Sequence, residues 1–181
     1  MRKQLIVLLA GLVGAVTLGG QAEAQVRPWE ISIAGGPSFA TGDFSDVVDT
    51  GYHVQGSVGF DPPLLPIGLR ADLFWQELPS ATDANDDWAR QIGVHANAIF
   101  EMPFALIQPY GLAGIGIMNS SVTGDSVDED SEATVGFNAG VGVEFPFVGL
   151  GGFVEARYLN IFGNENASDL RTIPVTVGIR F

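Results

Sequence analysis

Apolar and polar residues alternate one by one through eight stretches of the chain, most plainly in the last, Arg171-Thr-Ile-Pro-Val-Thr-Val-Gly-Ile-Arg-Phe181. Counting back from Phe181, Ile179, Val177, Val175 and Ile173 are apolar, with Arg180, Gly178, Thr176, Pro174 and Thr172 between them. A period of two belongs to an extended strand with one greasy and one polar face. The same pattern predicts strands over 28–39, 51–60, 67–76, 88–101, 107–118, 133–145, 151–162 and 170–181. In the third, Ile67, Leu69, Ala71, Leu73 and Trp75 oppose Gly68, Arg70, Asp72, Phe74 and Gln76. In the sixth, Val135, Phe137, Ala139, Val141, Val143 and Phe145 oppose Thr134, Gly136, Asn138, Gly140, Gly142 and Glu144. The fifth, Tyr110 to Met118, is glycine-rich, and its two faces stay unassigned.

The connections fall into two kinds. After strands two, four and six come Asp61-Pro-Pro-Leu-Leu-Pro66, Met102-Pro-Phe-Ala-Leu106 and Pro146-Phe-Val-Gly-Leu150, each short, proline-bearing and preceded by Phe60, Phe100 or Phe145. The other four are longer and acidic, and one of them holds Asp125, Asp128, Glu129, Asp130 and Glu132. Short turns at one end and long polar loops at the other describe a barrel that crosses an outer membrane, with both termini on the short-turn side.

Aromatic residues supply a ruler. Trp29, Phe60, Phe100, Tyr110, Phe145, Phe153 and Phe181 fall at the short-turn end; Phe39, Tyr52, Trp75, Trp88, Phe137 and Phe162 fall at the other. Trp29 and Phe39 are ten residues apart, ~33 Å of strand. A tilt of ~40° projects this to roughly 25 Å, the height of an apolar band between aromatic girdles.

Arg2 and Lys3 precede an apolar run from Leu5 to Gly20, followed by Ala22-Glu-Ala24. That order describes a cleavable secretory signal over residues 1–24; the run is shorter than the ~20 apolar residues of a spanning helix. The expected mature domain, 25–181, keeps six arginines against twenty carboxylates, a formal charge of about −14. Nucleic acid is excluded as a partner, since its binding is dominated by Lys/Arg–phosphate contacts. With no cysteine in the chain, a disulfide framework, a Cys-based metal site and a lipoprotein anchor are excluded too.

The signal segment, eight alternating strands, acidic loops and terminal Val175-Thr-Val-Gly-Ile-Arg-Phe181 resemble the small outer-membrane β-barrel family of the OmpX and OmpW types and the transmembrane half of OmpA. The resemblance covers the whole mature chain and is architectural. It implies an all-β, eight-stranded antiparallel up-and-down barrel with short periplasmic turns and longer acidic extracellular loops. It also implies export through the Sec pathway, residence in a Gram-negative outer membrane among phospholipid and lipopolysaccharide, and recognition of Val177, Ile179 and Phe181 by the barrel-assembly machinery. The chain stops at Phe181, so no peptidoglycan-binding domain of the OmpA kind is implied.

Eight strands enclose a lumen about wide enough for side chains to fill. By parity Arg70, Asp72, His95, Asn97, Glu101, Asn138, Glu144, Glu155, Arg157 and Arg180 point into it. Arginines and carboxylates can pair there, holding the barrel shut; a narrow polar conduit is the alternative. Catalysis has little to stand on, because the only histidines, His53 and His95, lie within strands. No cofactor is expected. Asp125, Asp128, Asp130 and Glu132 offer oxygen ligands suited to Ca²⁺ or Mg²⁺, but without EF-hand spacing a solvated charge run is the simpler reading.

Three functions follow. The leading one is a non-enzymatic barrel with a structural or surface-contact role. The second is an OmpW-like passage for small hydrophobic molecules, which needs a greasy slot at the outer mouth, where Phe74 is the clear lining residue, or a seam weakened by Pro37 and Pro174. The third is a secreted lipocalin-like barrel, which would put its apolar face inside.

Overall fold

The computed structural model describes residues 29–62, 67–81, 88–102, 107–123, 132–147, 150–163 and 169–181. The expected signal segment, 1–24, lies outside them. Eight strands form: β1 Trp29–Ala40, β2 Gly51–Phe60, β3 Gly68–Pro79, β4 Trp88–Glu101, β5 Gln108–Thr123, β6 Glu132–Phe147, β7 Leu150–Ile161 and β8 Leu170–Arg180. Each pairs antiparallel with its neighbour in sequence, and β8 returns to β1, closing the barrel.

Alternation fixes what faces where. Ile33, Ile115, Val141 and Val177 stand outward and are 60% exposed or more, while Asp72, Glu155, Arg157 and Asn138 are buried inside. Polar inside and apolar outside is the reverse of a soluble barrel, and it removes the lipocalin-like reading. The unassigned fifth strand takes Ala113, Ile115 and Ile117 outward and Tyr110, Leu112 and Met118 inward.

Three strands outrun their expected ends by two residues or more. β3 continues to Pro79, β5 to Thr123 and β6 to Phe147, because ladder hydrogen bonds need backbone and not an apolar outward residue. Pro146, expected in a turn, is therefore part of β6, and only residues 148–149 separate it from β7.

The β1–β8 seam is the least regular join. Ser32 to Gly35 pair with Arg180 to Val177, and Ser38 to Ala40 pair with Pro174 to Thr172, but Gly36 and Pro37 drop out of the ladder. On the other side of β8, Ala156 pairs with Val175 and Leu159 with Thr172, with Arg157 and Tyr158 omitted. The first gap falls at Pro37, opposite Val175, and the second at Pro174, opposite Arg157, and neither proline has an N–H to donate. A Cβ at Gly36 would run into the Val175 carbonyl, so the two strands stay close there even without ladder bonds.

Candidate functional site

The site is the lumen, filled in layers from the short-turn end upward. At that end Arg180 Nη1 lies 3.1 Å from Glu30, 3.6 Å from Glu101 and 2.6 Å from Glu144, tying β8 to β1, β4 and β6. Ile99, Tyr110 and Leu112 pack beside this mouth as a small apolar cluster.

A four-charge core follows. Glu155 accepts hydrogen bonds from Arg70 Nη2 at 2.9 and 3.1 Å, from Arg157 Nε and Nη2 at 3.1 and 2.6 Å, and from Tyr110 Oη at 2.9 Å. Asp72 accepts from Arg157 Nη1 at 2.9 Å and Asn97 Nδ2 at 2.8 Å, with Arg70 Nε beside it at 2.9 Å. Two guanidinium groups and two carboxylates cancel, and every one of the four is at most 5% exposed. Paired and multiply bonded, they meet the condition under which buried charge is tolerated.

The next layer is aromatic. Phe74 lies between the two histidines, 5.3 Å from the His53 ring and 5.5 Å from the His95 ring. His53 shares hydrogen bonds with Ser38 Oγ at 3.1 Å and Thr176 Oγ1 at 2.9 Å, so a β2 side chain spans the interrupted β1–β8 seam from inside. Toward the long-loop end Phe74, Met118, Leu159 and Ile161 form an apolar cluster with Leu170 against it, and Gln76, inward one pleat beyond Phe74, donates to Gln91 in a buried amide pair. A second cluster, Phe44, Val48 and Leu78, closes the top. Phe44 belongs to a 3₁₀ turn, Gly42–Asp46, entered through Gly42 at φ 66°, a conformation glycine adopts without strain. That loop is fastened to β8 by Thr41 N donating to Arg171 O at 2.9 Å. It is fastened to β3 by Asp49 N donating to Pro79 O at 2.8 Å.

The structure thus gathers Arg70, Asp72, Glu155 and Arg157 into one network and Glu101, Glu144 and Arg180 into another. His95 joins neither: its ring touches Phe74, and its nitrogens meet no protein partner among the described residues. Glu30 of β1 and the Tyr110 hydroxyl, both bound into these networks, were not among the expected residues. Tyr110 and Phe153, expected in the girdle, are each 2% exposed inside the lumen. They fit because inward Gly142 and Gly178 leave room for their rings. Val177, Ile179 and Phe181 are exposed on the outward face. Asp125, Asp128 and Asp130 lie outside the described residues, as does the Glu132 side chain. Among the described residues no group of three or more histidines and carboxylates is arranged to hold a metal.

The family described as the outer membrane protein beta-barrel domain matches residues 7–181. The chain belongs to that family. Among solved structures it is similar to Neisserial surface protein A, at 16% identity and a TM-score of 0.65, over 85% of this chain and 96% of that one. It is also similar to the N-terminal β-barrel domain of Pseudomonas aeruginosa OprF, at 19% identity and TM-score 0.54, over 87% and 100%. The outer membrane enzyme PagL matches at 15% identity and TM-score 0.53, over 84% and 98%. No curated protein matches the chain. At these identities the likeness is one of fold. Family membership makes this an outer-membrane barrel, and what it does there has to be argued from its own side chains.

Proposed function

We propose that the chain is a non-enzymatic, sealed barrel that serves the outer membrane as a structural and surface-contact protein. The observation that carries this is the lumen: a neutral four-charge core, an arginine-centred mouth and an apolar cap fill it from end to end. Acyl-chain chemistry of the kind a barrel enzyme performs would need a nucleophile and base on the outward face. Here both histidines are 1% exposed inside the barrel. The outward apolar band suits lipid, its rims suit headgroups of phospholipid and lipopolysaccharide, and Sec export with assembly through the C-terminal strand completes the reading. Reconstitution in a planar bilayer tests it. The expected record shows no steady conductance, and large stable openings would overturn the sealed barrel.

One observation favours a second reading, passage of small apolar molecules. The long-loop half of the lumen is greasier than Phe74 alone suggested, and it lies beside the β1–β8 seam interrupted at Gly36 and Pro37. If the seam admits such molecules, Pro37→Val, by restoring a donor toward Val175, slows their uptake into cells. Unchanged uptake removes this reading.

A further inference from the structure

The outward face of the barrel is not evenly raised; it carries a hollow across β3, β4 and β5. Cross-strand pairing sets Ala71 of β3 beside Ala96 of β4, and Ala98 of β4 beside Ala113 of β5, whose other neighbour is Ala139 of β6. In the next rung toward the short-turn end Phe100 pairs with Gly111. Strand surfaces favour branched and aromatic side chains over alanine, and the border of this patch follows that rule: Val58, Leu69 and Ile115 all stand exposed around it. A low floor between tall neighbours leaves an open hollow of about 580 Å³, which meets a second of about 360 Å³ over Ala98 and Ala113. Trp29 and Phe60 wall the larger one, their rings 4.7 Å apart. Phe100 and Ile67 border the smaller.

We propose that this hollow holds an acyl chain of a phospholipid from the leaflet at the short-turn end. Depth selects the leaflet. Ala96 to Phe100 covers ~13 Å of strand, roughly 10 Å of height at a ~40° tilt, and the hollow begins at the aromatic girdle of that end. It therefore stays within the ~15 Å that one leaflet contributes to the hydrocarbon core. In an outer membrane the short turns are periplasmic, and the leaflet on that side is phospholipid, whereas lipopolysaccharide fills the other. The hollow is continuous with the lipid-facing band, so its occupant enters from the bilayer without crossing water. Within lipid no hydrophobic force separates one apolar contact from another, and packing decides. A chain against a smooth wall touches protein on one side; a chain in this hollow also has Trp29, Leu69 and Ile115 at its flanks. Each carbon–carbon contact gains only ~0.1–0.2 kcal/mol, so the added flanking contacts along the chain hold the lipid. Trp29, at the interface end, brings an indole N–H to the depth of the headgroup.

The inference rests on the membrane-spanning reading and not on the sealed lumen, so a conducting barrel would leave it standing, and an empty hollow would leave the seal standing. Protein refolded in detergent is titrated separately with a diacyl phospholipid and with lipopolysaccharide, and bound lipid is read by native mass spectrometry. The forms compared are the parent, Ala98→Leu with Ala113→Leu, Ala98→Leu alone, and Ala156→Leu. The last adds the same bulk to the outward face of β7, away from the hollow. Heat-modifiable migration confirms folding, and the single Ala98 variant decides if the double one does not fold. The parent and Ala156→Leu are expected to retain a phospholipid, and the filled variants to lose it. Folded, filled variants that retain it would overturn the site, as would a parent that retains none. A parent that takes lipopolysaccharide in preference would overturn the choice of leaflet. A dimeric parent made monomeric by filling would overturn the lipid in favour of a second copy of the chain.

Discussion

Arg157 Nη1 lies 2.9 Å from Asp72 Oδ2, joining β7 to β3 through the middle of the barrel. The same guanidinium binds Glu155, and Arg70 binds both carboxylates, so four charges balance as two pairs. Removing one partner leaves a buried charge without compensation, at a cost of about 3–5 kcal/mol. Asp72→Leu or Arg157→Met alone is therefore expected to lower the urea midpoint of the refolded protein sharply. Asp72→Leu combined with Arg157→Met leaves Arg70 and Glu155 as a neutral pair and is expected to be more stable than either single variant. A double variant weaker than both would show that the pairs do not act as a balanced set.

His53 does on the side-chain level what the ladder fails to do between Gly36 and Thr176. Its ring is shared between Ser38 on β1 and Thr176 on β8, both fully buried. His53→Leu strands those two hydroxyls, at about 1–3 kcal/mol each. Backbone hydrogen exchange is expected to rise along residues 33–38 and 174–179 while β4 and β5 keep their protection. An increase spread evenly around the barrel would contradict a local brace.

Tyr110 donates to Glu155 and lays its ring where a side chain at Gly142 would stand. Tyr110→Phe is expected to cost about 1.5–3 kcal/mol, the range for a bond to a charged group. Gly142→Val is expected to cost more, because the ring itself must leave. Thermal midpoints of the two variants, compared with the parent, check the order; a tolerated valine would mean that the ring has another place to go.

This tyrosine also shows where reading the chain stops. Strand existence was legible throughout, and sidedness in every strand but the glycine-rich fifth, because the outward sets are apolar over whole strands, as in Ile92, Val94, Ala96, Ala98 and Phe100. The inward charges Arg70, Asp72, Glu155 and Arg157 were legible for the same reason, since an isolated charge in an alternating run has only one face to occupy. Tyr110 and Phe153 were misplaced in the girdle because their luminal fit depends on glycines of other strands, Gly142 and Gly178, and parity within one strand carries no record of that. Glu30 was missed because its role comes from Arg180 across the closing seam. The Phe44 plug was missed because one aromatic in an acidic loop has no period to betray it.

Asp169 offers a pH-dependent contact outside the strands. The Gly163 N–H donates to it at 3.1 Å and Arg171 Nη2 lies 3.2 Å away, and together they hold its carboxyl below the ordinary carboxylate range. A carboxyl depressed in the folded state contributes its stability above the unfolded value of ~3.9 and loses it as pH falls through the lower, folded value. Protection of the Gly163 amide is therefore expected to stay flat from neutral pH down to about pH 4 and to fall only below that. Asp169→Asn is expected to weaken protection at neutral pH and to abolish the acid-dependent loss. A parent amide that loosens already between pH 7 and 5 would rule the contact out as the cause.

Phe181 contributes to closure in two separable ways. Its N–H donates to Ile31 O at 2.9 Å and its carbonyl accepts from Ile31 N at 3.4 Å, so its backbone carries the β1–β8 ladder one residue past Arg180. The residue is 57% exposed, on the outward face of the barrel. Deleting Phe181 removes both ladder bonds and ring; Phe181→Ala keeps the bonds and removes only the ring. If the ring is read by the assembly machinery, both variants reach the membrane poorly in cells, yet the alanine variant refolds in detergent with the parent's stability. If the residue matters only as backbone, the alanine variant accumulates normally and the deletion alone fails, in vitro as well as in cells. Membrane-fraction levels and detergent refolding yields, measured side by side for the two variants, decide between ring and backbone. The exposed ring leads us to expect the first outcome.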